Sequence, residues 1–286
     1  MLIPMEMREI ERVVGLALVE DAPWGDLTSQ VLVPLSAIAS ARLAAREAGV
    51  MSGGAVFEAA MRLTDASVRI ELLVEDGNAF AAGDVLATVE GSARSILQAE
   101  RVALNFVQRM AGIATMTTRF VAETAGTKAR IVDTRKTTPG LRAFERYAVR
   151  CGGGRNHRYS LSDAVMAKDN HLAVLAGGLT EALLAARKAL PHTVHLEVEV
   201  DRLEQIEAVL AGGADTVMLD NFSLEDMRAG VAQIAGRALV EASGGVRLER
   251  VRAIAETGVD LISVGALTHS VRALDLGLDF RNEGEA

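Results

Sequence analysis

The spacing of apolar positions divides the first 120 residues into three parts. Apolar side chains from Ile10 to Leu18 recur at helical spacing. Short apolar runs separated by Gly- and Asp-rich turn sequences come next, and they predict a small, mostly antiparallel sheet. The runs are residues 41–45, 68–74 and 85–89. The helical period returns from Ser95 to about Val121, where we expect one long helix.

Beyond this point strand-like apolar runs alternate with helix-like sequences such as EALLAARKAL and RLEQIEAVLAGG. The runs are centred near Val132, Met166, Val198, Met218, Val240 and Ile262. The last four centres lie 20 to 22 residues apart, the length of a strand, a helix and two short loops. This spacing predicts parallel strands joined by helices, either in an (α/β) barrel or in an open doubly wound sheet.

Polar, small or charged residues follow nearly every predicted strand of this second region. They are Asp133-Thr134-Arg135-Lys136, Lys168-Asp169-Asn170-His171, Glu197-Val198-Glu199, Asp220-Asn221, Ser243-Gly244-Gly245 and Gly265-Ala266. In either parallel architecture the loops at the carboxyl ends of the strands converge on one face, where function concentrates. We therefore expect a site at this face.

The charges near these strand ends favour a polyanionic ligand. Residues 128–168 contain ten Lys and Arg against three Asp and Glu, in a chain whose net charge is −8. Arg135, Lys136 and Lys168 would converge from two strand ends and repel one another unless an anion neutralised them. The alternative is that each cation is solvated or paired with a neighbouring acid.

Carboxylates and glycines at the other strand ends suggest metal and phosphate contacts. Glu197 and Glu199 alternate with apolar residues, so both lie on one face of their strand, and one of them with Asp220 offers the hard oxygen ligands that Mg²⁺ prefers. A structural salt bridge or surface exposure would explain the same pattern. The glycine-containing ends allow backbone N–H groups to approach a phosphate, although tight turns need such residues too. A capping or core role for His269 is as good an explanation as a ligand contact.

Composition and charge exclude several classes of protein. An acidic chain argues against a general surface for nucleic acid or anionic membrane. The single cysteine, Cys151, excludes an internal disulfide and a multi-cysteine metal site. No apolar run approaches the ~20 residues that cross a bilayer, and the first residues lack the pattern of a signal peptide. We expect a soluble, cytoplasmic protein.

Several motifs closely resemble the quinolinate phosphoribosyltransferase family, in order and at consistent spacing over essentially the whole chain. They are AERVALNFVQRMAGIAT (99–115), TRKTTPGLR (134–142), YAVRCGGGRNHR (147–158), KDNH (168–171), EVEVD (197–201), MLDN (218–221), EASGG (241–245) and GVDLISVGALTHS (258–270). The resemblance implies an α/β fold with an N-terminal α/β sandwich over residues 1–110. An incomplete (α/β) barrel over residues 111–286 would follow, with a C-terminal tail expected to pack back on the N-terminal domain.

The resemblance also implies a reaction and a set of roles. Quinolinate and phosphoribosyl pyrophosphate would react with Mg²⁺ to give nicotinate mononucleotide, pyrophosphate and CO₂. The residues expected to bind quinolinate are Arg101, Thr134, Arg135, His157 and Arg158. Those expected at the reacting groups are Lys136, Lys168, Glu199 and Asp220, the last two also contacting Mg²⁺ directly or through water or substrate. Those expected around phosphate are Ser243, Gly244, Gly245, Gly265, Ala266 and His269.

By the same resemblance Arg101 would reach the quinolinate of a neighbouring subunit, which implies at least a homodimer with shared sites. The tight-turning glycines of RCGGGRNHR would let His157 and Arg158 face the same pocket as Arg135. Three alternatives stay open at this point: a molybdenum-transport-associated homologue, a Schiff-base lyase using Lys136 or Lys168, and a non-enzymatic anion-binding module. The intact sequence Lys168-Asp169-Asn170-His171 favours the transferase.

Overall fold

A computed structural model describes residues 2–172, 174 and 178–280 of the chain. The helices are α1 (Met7–Asp21), α2 (Leu27–Leu32), α3 (Gly54–Thr64), α4 (Ala93–Ala122), α5 (Arg142–Cys151), α6 (Asp169–Leu172), α7 (Leu179–Ala189), α8 (Ile206–Ala211), α9 (Leu224–Ile234), α10 (Leu248–Ala255) and α11 (Ala266–His269). A 3₁₀ turn, Leu203–Gln205, precedes α8.

The strands are β1 (Ile38–Ala45), β2 (Gly49–Val50), β3 (Arg69–Leu72), β4 (Ala79–Phe80), β5 (Val85–Ser92), β6 (Arg130–Val132), β7 (Val165–Ala167), β8 (Leu196–Val200), β9 (Thr216–Asp220), β10 (Leu239–Ser243), β11 (Leu261–Ser263) and β12 (Leu276–Phe280). Each of the six strand centres predicted for the second half lies inside a strand, from β6 to β11. The long helix predicted from Ser95 is α4.

The described residues form two compact units. The first comprises residues 2–118, 137–153 and 270–280, and the second comprises residues 119–136 and the described part of 154–269. The boundary predicted between residues 110 and 111 falls within α4 and stays a prediction.

The first unit is built on a four-stranded antiparallel sheet in the order β12-β1-β5-β3. Its cross-strand neighbours pack as apolar pairs: Leu43 is opposite Leu278 and Ala87, and all three are buried. The sequence pattern did not predict α3, because Gly53-Gly54 is one of the Gly-rich sequences that were interpreted as turns between the short apolar runs. Gly53 instead takes a left-handed conformation (φ 102°) at the start of this helix, whose buried face includes Phe57.

The second unit is a six-stranded parallel sheet in the order β6-β11-β10-β9-β8-β7. The first strand, β6, pairs with the last, β11, which is the pairing that closes a barrel. No ladder joins β6 to β7 in the described residues. Besides its pairing with β11, β6 makes an isolated bridge from Val132 to Arg155. The sheet is therefore an incomplete (α/β) barrel, which confirms the fold class and excludes the doubly wound strand order.

Helices α8, α9 and α10 connect successive strands from β8 to β11, as the 20- to 22-residue spacing predicted. The residues of β8 and β9 are buried on both faces, as in parallel strands. Helix α9 is typical of these connections: Ser223 Oγ accepts the Asp226 N–H at its start, and left-handed Ala235 ends it. Within the described residues no helix has both the length and the apolar character needed to cross a bilayer.

Candidate active site

A cavity of about 320 Å³ opens at the carboxyl ends of the strands of the second unit. Its lining residues are Thr134, Arg135, Lys136, His157, Arg158, Met166, Lys168, Met218, Glu241, Ser243 and Ser263. Seven of these eleven were predicted as site residues from the sequence. Two arginines and two lysines line the cavity with two methionines and one carboxylate, so it suits a small, flat ligand with several negative charges.

Lys136 is held in the cavity by its own backbone and by a glycine. Its N–H donates to Thr134 Oγ1 at 3.1 Å, and its carbonyl oxygen accepts from Thr268 Oγ1 at 2.7 Å. A Cβ atom on Gly265 would lie 2.9 Å from Lys136 Cδ. The Lys136 side chain therefore lies against Gly265, and the missing Cβ leaves it space to extend toward a ligand.

The segment carrying His157 and Arg158 is fixed to β6 by a buried carboxylate. Backbone hydrogen bonds join Arg155 to Ile131 and Asp133. The fully buried Asp133 accepts from His157 N at 2.8 Å and from Asn156 Nδ2 at 2.5 Å. Asp133 was recognised in the sequence only as a strand-end residue; here it orders the loop that presents the binding side chains.

Arg158 is positioned at both its backbone and its guanidinium group. Its N–H donates to His157 Nδ1 at 2.7 Å, and Nη1 donates to the Ala164 carbonyl oxygen at 2.9 Å. Burial and the neighbouring Arg135 guanidinium lower the pKa of Arg158. Two guanidinium groups that repel each other in one cavity favour a bound anion.

His157 lies against two buried carboxylates. Its Nε2 is 3.0 Å from Glu197 Oε2 and 3.5 Å from Glu241 Oε2. Burial, and then the second carboxylate, raise the pKa of Glu197. Burial lowers the pKa of His157, whereas the hydrogen bonds to the two glutamates raise it. Because the Arg158 N–H is directed at Nδ1, that nitrogen carries no proton, and the single ring proton lies on Nε2, toward the carboxylates.

The alternation in the sequence predicted that Glu197 and Glu199 lie on one face of their strand, but Glu241 was not predicted as a site residue. The side chains of Glu197 and Glu199 are 5% and 11% exposed. Glu241 alternates with buried Val240 and Ala242 in the same way on β10, and this alternation could have identified it. Glu197, Glu241 and His157 are also grouped closely enough to contact one metal ion. However, His157 Nε2 is already hydrogen-bonded to the carboxylates, and two guanidinium groups line the same cavity, so this cluster does not favour a cation.

The other predicted charged residues form pairs at neighbouring strand ends. Lys168 Nζ lies 2.7 Å from Glu199 Oε2, and Asp220 Oδ2 accepts from Asn221 Nδ2 at 2.6 Å. Asn221 itself has a left-handed backbone (φ 58°), which amide side chains tolerate better than most. Glu199 and Asp220 supply carboxylate oxygens of the type that Mg²⁺ accepts, with room for water or substrate oxygens as further ligands.

The predicted phosphate contacts lie on two turns of the second unit. Gly244 and Gly245 follow β10 with φ values of 91° and 55°, and a Cβ on Gly244 would lie 2.2 Å from Asn221 Oδ1. Gly265 precedes Ala266, the first residue of α11, and His269 N donates back to the Gly265 carbonyl oxygen at 3.2 Å. Of these residues only Ser243 lines the cavity. Arg101 belongs to α4 and is exposed in the first unit.

An incomplete barrel whose strand ends carry a pocket rich in arginine and lysine defines a class of α/β-barrel enzymes that act on small anionic substrates. Two family models narrow this class: "Quinolinate phosphoribosyl transferase, N-terminal domain" matches residues 26–111, and the C-terminal domain of the same family matches residues 113–279. The chain belongs to the quinolinate phosphoribosyltransferase family.

Similar proteins extend over nearly the same length. The chain is 40% identical to the probable nicotinate-nucleotide pyrophosphorylase [carboxylating] of Bacillus subtilis, covering 99% of this chain and 97% of that protein. It is 46% identical to the nicotinate-nucleotide pyrophosphorylase [carboxylating] of Mycobacterium leprae, covering 92% and 94%. The solved nicotinate-nucleotide pyrophosphorylase of Francisella tularensis has a TM-score of 0.92 at 37% identity, covering 98% of this chain and 99% of that one.

Proposed function

We propose that this chain transfers the phosphoribosyl group of phosphoribosyl pyrophosphate to quinolinate and releases CO₂, giving nicotinate mononucleotide and pyrophosphate for NAD biosynthesis. The observation that carries the proposal is the convergence of Arg135, Lys136, Arg158 and Lys168 on one cavity. Quinolinate brings two carboxylates and its co-substrate brings a phosphate and a pyrophosphate, so the charges are complementary. The molybdenum-transport-associated homologue is not favoured.

Quinolinate would occupy the part of the cavity near Arg135 and Arg158. A guanidinium group binds a carboxylate through two parallel N–H donors, and two such groups match the two carboxylates of the substrate. Met166 and Met218 offer apolar surface to the flat pyridine ring, and Thr134 lies at the same lining. His157 contributes to this end as well, since it orders Arg158 through the 2.7 Å hydrogen bond.

The phosphoribosyl group would lie toward Lys136, Lys168 and Ser243. The two ammonium groups oppose the charge that accumulates on departing pyrophosphate, while backbone N–H groups near Gly244, Gly245, Gly265 and Ala266 face the 5′-phosphate, with His269 beside Gly265. When bound, Mg²⁺ would supply further neutralisation of pyrophosphate, held by Glu199 and Asp220 directly or through water.

The protein contributes to this reaction by positioning the two substrates. The pyridine nitrogen attacks the anomeric carbon as the bond to pyrophosphate breaks, and the arginines hold the nitrogen in line. When the bond to the adjacent carboxylate then breaks and CO₂ leaves, the electron pair stays on the ring carbon, where the positive charge of the neighbouring quaternary nitrogen stabilises it. A proton finally replaces CO₂ on that ring carbon. None of these steps needs a covalent intermediate with the protein.

We also propose that the protein is a cytoplasmic homodimer in which Arg101 of each subunit reaches the quinolinate site of the other. Support comes from large exposed apolar side chains within residues 24–35 of the first unit: Trp24 (91% exposed), Leu27, Val31, Leu32 and Leu35. Apolar clusters of this kind commonly mark protein interfaces. Size-exclusion chromatography with light scattering should give twice the chain mass of 30.3 kDa.

The decisive assay incubates the purified protein with quinolinate, phosphoribosyl pyrophosphate and Mg²⁺ and follows nicotinate mononucleotide. Excess EDTA should stop turnover, and added Mg²⁺ should restore it. Well-folded protein that forms no product would refute the proposal. The Schiff-base alternative is tested by borohydride trapping at Lys136 or Lys168, and the ion pair of Lys168 with Glu199 already argues against it.

A further inference from the structure

Two glutamates with no role in the proposed reaction lie against His157 at the quinolinate end of the cavity. Glu197 on β8 and Glu241 on β10 place their Oε2 atoms 3.0 and 3.5 Å from His157 Nε2. Their side chains are 5% and 1% exposed. The other oxygen of each carboxylate, Oε1, is buried and has no hydrogen-bond partner among the described residues.

Two buried carboxylates, each with an oxygen unpaired among the described residues, do not stabilise the fold. Burying a carboxylate costs free energy unless all its hydrogen-bonding capacity is used. Apolar side chains in place of buried charged groups are often neutral or stabilising. The neighbouring positions Val198, Val200, Val240 and Ala242 show that β8 and β10 bury aliphatic side chains readily. A function in the site explains the two carboxylates better than a contribution to the core.

The His157 ring connects the two glutamates to an anion-binding arginine. While Nε2 meets the carboxylates, Nδ1 accepts the backbone N–H of Arg158 at 2.7 Å. The backbone of His157 is anchored separately, by Asp133 Oδ1 at 2.8 Å. Asp133 therefore fixes where the loop runs, and the glutamates fix how the ring is turned within it.

We propose that Glu197 and Glu241 are positioning residues for quinolinate: they clamp the His157 ring, and through Nδ1 they hold Arg158 in the orientation that binds a substrate carboxylate. The inference rests on the proposed function. The clamp acts from two strands of the barrel, so a displacement of either strand end would be transmitted to Arg158. The two glutamates would in this way determine the affinity for the dicarboxylate through His157.

The test measures KM separately for the two substrates in Glu197→Gln and Glu241→Gln. Glutamine keeps the shape but loses the charge-assisted hydrogen bond to His157. We expect KM for quinolinate to rise about tenfold in each variant, as for loss of one buried hydrogen bond to a charged group. KM for phosphoribosyl pyrophosphate should change less than about twofold, because its groups lie elsewhere. Glu256→Gln is the matched control, since Glu256 is 57% exposed and 3.9 Å from Arg252.

A double-mutant cycle distinguishes the clamp from a general effect of charge or stability. If Glu241 acts through His157, Glu241→Gln should add less than about twofold to KM for quinolinate in a His157→Asn background. Independent, multiplicative effects would overturn the proposal, as would an equal rise in both KM values. An inactive wild type refutes the proposed function instead, and the inference falls with it.

Nitrogen-15 NMR of the wild-type histidines gives a readout that needs no variant. His157 should show an unprotonated Nδ1 that accepts a hydrogen bond and a proton on Nε2 at neutral pH. A proton on Nδ1 would exclude the contact to Arg158 N and overturn the clamp even if both glutamine variants failed to fold.

Discussion

Replacing Gly244 by alanine should destabilise the phosphate end of the site by more than the cost of a left-handed alanine alone. Gly244 has φ 91°, and a Cβ there would lie 2.2 Å from Asn221 Oδ1, 2.5 Å from Asn221 Cγ and 2.8 Å from the Asn221 backbone nitrogen. Real Cβ atoms do not approach this closely, so Asn221 must move. Its N–H bond to the Ser243 carbonyl oxygen, 3.0 Å long, is expected to weaken with that movement.

The free-energy cost has two parts. A left-handed alanine costs roughly 1–2 kcal/mol, and overpacking against fixed neighbours adds about 1–3 kcal/mol. Gly236 provides the matched control, because its φ is 76° and a Cβ added there would have no atom within 4 Å. Gly236→Ala should therefore carry only the first part. The two variants should differ by about 1–3 kcal/mol, or about 2–4 °C in Tm for each kcal/mol.

Thermal unfolding of the two variants in one buffer measures this difference in stability. Steady-state kinetics measures the effect of each variant on substrate binding. We expect Gly244→Ala to raise KM for phosphoribosyl pyrophosphate and to leave KM for quinolinate unchanged, whereas Gly236→Ala alters neither. Equal Tm values would show that Asn221 moves without a loss of stability, contrary to this prediction. An unchanged KM for phosphoribosyl pyrophosphate would refute the placement of the phosphate near Gly244.

Two further predictions concern single groups. Arg135→Ala should abolish quinolinate binding in calorimetry while far-UV circular dichroism stays unchanged; near-normal affinity would contradict its role. Cys151 is 6% exposed and burial raises the pKa of its thiol to about 11, so iodoacetamide at pH 8 should label native protein far more slowly than urea-unfolded protein, and equal rates would be the contrary result.

Local patterns in the sequence were enough to predict the elements of the second unit. The apolar runs around Val198, Met218, Val240 and Ile262 are strands because their residues are buried on both faces, which needs no knowledge of their neighbours. The choice between barrel and open sheet was different. It depends on β6 pairing with β11, about 130 residues later, and no local pattern encodes that pairing.

The candidate site shows the same division between local and non-local information. Cations that follow strands, such as Arg135 and Lys168, can be recognised from their position in the chain. The contact of Glu241 with His157 cannot, since it joins β10 to a loop 84 residues earlier. Asp133 likewise gains its role only when the loop folds back against β6. The sequence thus predicted the side chains that face the ligand better than those that hold them.

The pocket also combines one fixed end with one adjustable end. The His157 cluster is buried and bonded on both ring nitrogens, so it can retain one geometry before substrate arrives. Lys168 is 44% exposed, so an incoming pyrophosphate can reach its ammonium group, while Glu199, 11% exposed and paired with it at 2.7 Å, becomes available to a divalent cation that neutralises it. We expect the affinity for both anionic substrates to fall as ionic strength rises, and quinolinate affinity to depend in addition on the rigid positioning of its arginines.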